Sequence, residues 1–330
     1  LLFGFDDDVR HRNIIGVIED NPEIAKQGVL LRKFGQEVIR ITSGKRVHGT
    51  GAIPGGVNKS ISQKEIDYLK EDVDQMISWS QDAVDLIKKI FFEHYDYHMA
   101  FGTIDTNILS LIRDDGAFDI YHGGLRARDA SGNTIFDNVD YNQYSDYIHE
   151  GVKNWSYMKF PFITSLGQDD GWYRVGPLAR VNNCDFFTTA MAEKERKEFV
   201  ELGNGSPVHS TLGFDWARLI EVLQCAEAIA ELLDDKDISG NDLLNKGSLQ
   251  STGIGVIEAP RGTLFHHYQI NDDGIVEKAN LIVSTTNNNQ AMNESIRQVA
   301  RQYLDGNKLT EPLLNQVEVA VRAYDPCLSC

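Results

Sequence analysis

Two cysteines three positions apart, Cys327 and Cys330, stand at the end of the run Arg322-Ala-Tyr-Asp-Pro-Cys-Leu-Ser-Cys330. A thiolate pair at that spacing can grip one soft transition metal from a single turn. Two thiolates do not complete a four-ligand site, so further ligands have to come from elsewhere. The other cysteines, Cys184 and Cys225, are solitary and distant in sequence. Taken alone the pair stays open to three readings: a redox dithiol, half of an intermolecular zinc site, or two buried thiols. A dithiol of the thioredoxin kind wants its CxxC at a helix N-terminus, where the dipole favours thiolate. This pair follows the predicted C-terminus of a helix, which puts metal ligation ahead of the redox reading.

Glu258-Ala-Pro-Arg-Gly262 lies between two predicted strands. Pro260 removes a donor and fixes the backbone, and Gly262 lets the chain turn sharply. Arg261 then projects from a rigid connection, which suits an anionic ligand; pairing with a nearby carboxylate is the plainer alternative. Tyr173-Arg-Val-Gly-Pro-Leu-Ala-Arg180 holds two arginines around another rigid Gly-Pro, where ligand binding and packing against an acidic surface stand level. Gly44-Lys-Arg-Val-His-Gly-Thr-Gly51, followed by Pro54-Gly-Gly56, lacks the strand–loop–helix order and terminal Lys-Ser/Thr of a phosphate loop. It reads as a tight, close-packed loop carrying His48 as a structural histidine. His266 and His267 occupy successive strand positions, face opposite sides and make no chelate.

These residues need elements to hold them. Asp6-Asp-Asp8 with Val9, Ile14, Ile15 and Val17 predicts a short helix with acids at its positive end. Asn21-Pro22 opens a second helix to about Thr42, with Gly28 and Gly35 on one face where a neighbouring helix can approach closely. Ser62-Gln-Lys-Glu65 is a capping box. After it, Ile66, Leu69, Val73, Met76, Val84, Ile87 and Phe91 recur at three- and four-residue steps, predicting one long helix in a central bundle. Phe118–His122 and Thr134–Phe136, around the turn Asp129–Asn133, predict a β-hairpin. The spacing predicts helix over 140–155, irregular structure over 156–186, and helices over 193–202 and 217–233. Strands are expected over 252–258, 262–270 and 275–284, the last two joined by Asn271-Asp-Asp-Gly274. Helices follow over 287–304 and 311–323, and Asp325 before Pro326 takes the chain out of the last one. The expected fold class is α+β, mainly α: a long-helix bundle with small antiparallel hairpins and sheets, organised as one domain over residues 1–330.

Composition narrows the functions. Apolar residues at 42% and charged residues at 25% describe a globular chain. No apolar run approaches the ~18 residues that a membrane span needs. Four cysteines without a pairing pattern fit a reducing compartment better than a secreted disulfide scaffold. A net charge of -17 leaves nothing to offset phosphate repulsion, which argues against a nucleic-acid partner.

Together the 44–56 loop, Trp172–Arg180, Glu258–Gly262, Val283-Ser-Thr285 with Asn287, and Asp325-Pro-Cys-Leu-Ser-Cys330 resemble the large catalytic subunit of nickel–iron hydrogenases. The resemblance runs over essentially the whole chain and points to the bidirectional, NAD(P)-linked, cytoplasmic Hox type. It implies that Cys327 binds nickel terminally and that Cys330 bridges nickel and iron in a Ni-Fe(CN)2(CO) centre. It also implies that Arg261 lies over the open metal face, fixed by Asp325. Pro260, Val283 and Ser284 would line the pocket of the diatomic ligands, with Ser284 donating to a cyanide. Soft sulfur for nickel and charge-assisted bonds to cyanide agree with those roles.

The implied activity is reversible splitting of H2 into protons and electrons. The electrons would pass through a small iron–sulfur subunit, then a flavin-bearing diaphorase module, to NAD(P)+. No dinucleotide fingerprint occurs in this sequence, consistent with NAD(P) binding on another subunit. The family also carries a second CxxC near its N-terminus and a C-terminal histidine that helps hold magnesium. Neither is present between Leu1 and Cys330, so the expectation is a fragment cut at both ends, too poor in thiolates to hold the cluster alone. A reading of another class is a non-catalytic electron-coupling scaffold like those of respiratory complex I. Retention of Cys327, Cys330, Arg261 and Asp325 together speaks against it.

Overall fold

Helical periodicity dominates the N-terminal third. The computed structural model describes residues 13–328 apart from 305, 307 and 308; the acidic run Asp6–Asp8 and Cys330 lie outside the described residues. Helix α1 (Ile14–Asp20) opens at Asn13, whose side chain accepts from the Ile15 and Gly16 amides. Helix α2 (Pro22–Ser43) stops at Gly44, whose φ of 78° is left-handed. A small hairpin, β1 (Ala52–Ile53) and β2 (Gly56–Val57), follows.

The single long helix expected next is two helices. Helix α3 (Gln63–Lys70) begins at the Ser62/Glu65 capping box, and α4 (Val73–Glu93) continues from Asp72. The step falls at Glu71-Asp72, where the Asp72 amide donates to the Leu69 carbonyl, a tighter turn than the α-helical one. The apolar ridge crosses it unbroken: all seven residues from Ile66 to Phe91 named above are buried. Gly28 and Gly35 receive no neighbouring helix, since a Cβ at either would meet nothing within 4 Å. Helix α2 is held instead through Phe34 and Ile41, which pack with Leu69 and Met76.

The middle departs furthest from the periodicity. Helix α5 (Tyr95–Ala100) leads into β3 (Asn107–Ile112), β4 (Gly124–Arg128) and β5 (Thr134–Val139). The Asp129–Asn133 turn is where the sequence put it, but the strand before it is Gly124–Arg128 and not Phe118–His122. Asp119 caps the amides of Tyr121 and His122 at 2.7 and 2.8 Å, bending that stretch into a turn. Of the helix expected over 140–155, one turn forms, α6 (Tyr144–Tyr147), before β6 (Ile148–Val152). Its buried residues, Ile148 and Gly151, are three apart, a helical spacing; pairing of Ile148 with Ile163 decides for strand. Residues 156–186 are ordered too, as β7 (Lys159–Ile163), α7 (Gly167–Asp170), β8 (Tyr173–Arg174) and α8 (Pro177–Asn183). One sheet runs β5-β4-β3-β8 with β8 parallel to β3, and β6 pairs with β7.

Helices α9 (Ala190–Glu201) and α10 (Gly213–Leu233) complete the bundle, where Trp216 packs against Phe91 and Phe199. Strands β9 (Thr252–Ala259), β10 (Gly262–Ile270) and β11 (Val276–Ile282) form an antiparallel sheet. It shares a core of Leu109, Leu125, Tyr173 and Phe265 with the first sheet. Burying each such side chain contributes ~1.5–3 kcal/mol. The described chain closes with α11 (Ser284–Asn287), α12 (Asn289–Tyr303) and α13 (Glu311–Tyr324). The whole is α+β with helix predominating. Among the described residues no helix is long and apolar enough to cross a membrane.

Candidate active site

Two chain reversals meet at the site. The first is the two-residue connection Pro260–Arg261, closed by pairing of Ala259 with Gly262. Gly262 has a φ of 134°, and a Cβ there would stand 2.1 Å from the Val175 side chain. Only glycine lets the hairpin tip seat against the β8–α8 junction. The second reversal ends α13: Asp325 takes left-handed angles (φ 48°, ψ 52°) just before Pro326. Asp and Asn tolerate that region better than most residues, so the sequence permits this turn at little cost.

The reversals touch through one side chain. Arg261 Nε donates to the Asp325 backbone carbonyl at 2.5 Å. Its Nη2 stands 3.4 and 3.3 Å from the Asp325 carboxylate oxygens. Both side chains are accessible, 37% and 50% exposed. Nη1 has no hydrogen bond among the described residues, which leaves a donor for an anionic ligand. Two residues on, the Cys327 amide donates to Thr285 Oγ1 at 3.1 Å. Thr285 and Ser284 are buried in α11, and Val283 is the residue before it, 41% exposed. The structure thus joins Arg261 to Asp325 and α11 to Cys327. Thr285 was not foreseen; its signal was a hydroxyl beside Ser284 at the start of a buried turn.

Behind the hairpin lies a charged cluster that bears out, for Arg180, the reading of packing against acid, though the sequence did not name the acids. Arg180, on α8, is 3% exposed. Its Nε and Nη2 donate to the two Glu221 oxygens, each at 2.6 Å. Nη1 donates to Glu258 and to the Ala259 carbonyl, both at 2.9 Å, and Nη2 also reaches the Pro260 carbonyl at 3.2 Å. Burial works against the charged guanidinium, but Glu221 and Glu258 outweigh it and leave the Arg180 pKa raised. Glu258 also accepts from the Leu111 amide at 2.8 Å and the Thr263 hydroxyl at 2.7 Å. Burial still pushes its carboxyl pKa up, outweighing Arg180 and those donors.

The second arginine of that stretch is placed differently. Arg174 is fully buried and donates only to neutral oxygens: the Tyr324 hydroxyl, the His209 carbonyl, and the hydroxyls of Thr211 and Ser295. Its guanidinium also stands over the Phe214 and Tyr324 rings at 5.9 and 5.7 Å. Packing, not ligand contact, therefore accounts for both arginines. His48 is exposed, left-handed (φ 52°) and makes no side-chain hydrogen bond among the described residues, unlike the satisfied structural histidine expected, although Gly49 and Gly51 do fold tightly onto the end of α2. His266 and His267 bond separately to Tyr268 and Tyr144.

A cavity of about 400 Å3 opens between α2, α4, α10 and the hairpin. Phe34, Met76, Val222 and Ile229 form its apolar wall, and Pro260 and Asp325 form part of its edge. Among the described residues, no group of three or more His, Cys, Asp or Glu gathers as metal ligands. Cys184 lies buried in the helical core, where burial pushes its thiol pKa up to about 12. The rim brings together Cys327, which is disulfide-bonded in this structure, a guanidinium whose Nη1 makes no hydrogen bond among the described residues, and a rigid two-residue turn.

The nickel-dependent hydrogenase family matches residues 96–330. The chain is similar to the NAD-reducing hydrogenase HoxS subunit beta of Cupriavidus necator, 41% identical over 100% of this chain and 70% of the relative. It is 39% identical to a subunit of the F420-non-reducing hydrogenase of Methanothermobacter thermautotrophicus, over 98% of this chain and 68% of that one. Among solved structures, an NAD+-reducing NiFe-hydrogenase in the H2-reduced state matches with a TM-score of 0.97 at 49% identity, covering 100% of this chain and 73% of that one.

Proposed function

The chain belongs to the nickel-dependent hydrogenase family, and from that premise we propose that it is the catalytic subunit of an NAD(P)-linked enzyme that oxidises H2 reversibly. The observation that carries this reading is the Arg261–Asp325 contact two residues ahead of Cys327. A nickel–iron centre, when bound, supplies the open coordination position at which H2 is split. Cys327 and Cys330 are the residues of this chain that would hold it.

The protein's own contribution is positioning and charge. Arg261 keeps Nη1 free of hydrogen bonds among the described residues, a cationic donor that would serve a cyanide or another anion on the metal. Asp325 fixes that guanidinium by carbonyl and carboxylate together. Pro260, Val283 and Ser284 would border the diatomic ligands, with the Ser284 hydroxyl available as a donor to one of them. Thr285 holds the Cys327 backbone, which orients its sulfur. The apolar cavity wall keeps bulk water from one side.

The proposed assembly adds an iron–sulfur small subunit, a flavin-bearing diaphorase module and a magnesium ion. Its support is the similarity to subunits of multi-subunit hydrogenases. A cytoplasmic location and a single-domain organisation complete the reading. The scaffold alternative is not favoured, since the relatives found are hydrogenases. The deciding assay is H2-dependent NAD(P)+ reduction by the matured complete enzyme, together with its nickel content. A preparation that binds no nickel and reduces nothing would return the chain to the scaffold class.

A further inference from the structure

We propose that Arg180 is a positioning residue for Arg261, holding the hairpin backbone so that the Arg261 guanidinium points at the metal face. The inference rests on the function proposed above and concerns residues outside the contact shell of that site.

The geometry is that of a fork with its handle fixed. Two of the five donors of Arg180 lock onto Glu221 on α10, so the side chain cannot swing. A third bonds Glu258, itself tied to β3 through Leu111 and to β10 through Thr263. What remains reaches the carbonyls of Ala259 and Pro260, the two residues immediately before Arg261. The connection to β10 is two residues long, so holding those carbonyls leaves little freedom for the position of Arg261 Cα. Gly262 presses the other end of the turn against Val175, on the segment that also carries Arg180. A lysine at 180 would keep the charge but not the planar fork, and would release at least one carbonyl. Misplacing a catalytic group by ~1 Å can cost about 100-fold in rate, so a small tilt is enough to matter.

The test is a double-mutant cycle in the complete, nickel-loaded enzyme. Arg180→Lys is expected to lower kcat for H2 oxidation by roughly tenfold or more. KM should change little, nickel content should hold, and the infrared bands of the diatomic ligands should move. In an Arg261→Lys background, the same substitution should change kcat by less than about twofold, because the orientation it controlled no longer matters. Equal losses in the two backgrounds, unmoved infrared bands, or an unchanged rate would each overturn the proposal. If Arg180→Lys does not accumulate as nickel-loaded enzyme, Glu221→Gln, which loosens the handle, is read by the same cycle. Failure of the unaltered enzyme to oxidise H2 removes the functional reading itself; an active enzyme with additive losses removes only the role of Arg180.

Discussion

Two guanidinium–carboxylate contacts flank the β9–β10 hairpin, and they are built in opposite ways. Arg180 is buried and bidentate on Glu221, with Glu258 and two carbonyls using its remaining donors. Arg261 is partly exposed, bonded at short range only to a backbone oxygen and loosely to the Asp325 carboxylate. Each pairs an arginine with acid, yet the first leaves no donor idle and the second keeps its whole Nη1 group unbonded among the described residues. Full satisfaction suits a structural clamp, since a buried ion with an unmet partner is costly. Incomplete satisfaction suits a site that must accept a ligand. The difference teaches that exposure and spare hydrogen-bonding capacity, more than the ion pair itself, separate chemistry from scaffolding.

Substitutions can break or sharpen the contrast. The largest effect is expected on the buried side: Arg180→Met strands Glu221 and Glu258 and should destabilise the protein by ~3–5 kcal/mol in urea unfolding. A loss below ~1 kcal/mol would mean that the clamp is not structural. Next comes Arg261→Lys in the complete enzyme, expected to lower H2 turnover by about 100-fold while leaving nickel content and unfolding midpoint intact. A near-normal rate would remove Arg261 from the mechanism. Asp325→Asn keeps the backbone carbonyl and loses only the weak carboxylate contact. It should reduce turnover by roughly tenfold and change stability by less than ~1 kcal/mol.

The smallest expected effect lies at the capping box, remote from both contacts. Ser62→Ala should cost ~1 kcal/mol and leave turnover unchanged. The Ser62 amide, then Lys59 and the Ser62 hydroxyl, hold the Glu65 carboxyl down at about 2. Because that value lies below the unfolded one, the contribution is present above the ordinary glutamate pKa and lost as pH falls towards 2. Unfolding followed across that acid window should show the variant losing part of this pH dependence.

Legibility followed how local each cause is. The capping box, the α4 ridge and strand β10 were readable because their determinants lie within a few residues. So was the exit of α13 at Asp325-Pro326, where proline acts on its neighbour. Ile148 and Gly151 misled, since three apart is a helical spacing, and it is their pairing with Ile163 and Phe160 that makes the stretch a strand. Strand β3 was missed because Asn107-Ile-Leu-Ser-Leu-Ile112 is buried on both faces, so no alternation marks it. At the site, Arg261 was legible from its rigid turn. The acids that hold Arg180, at 221 and 258, come from α10 and β9, and no local pattern announces them. Thr285 was overlooked for the same reason: its partner, the Cys327 amide, is far along the chain.

The tighter of the two bonds that seat Arg261 goes to a peptide oxygen exposed by the left-handed turn at Asp325. A peptide oxygen carries no ionisable proton, so this bond is set by backbone geometry. The seat of Arg261 therefore depends more on the backbone turn at 325 than on the charge of the side chain there.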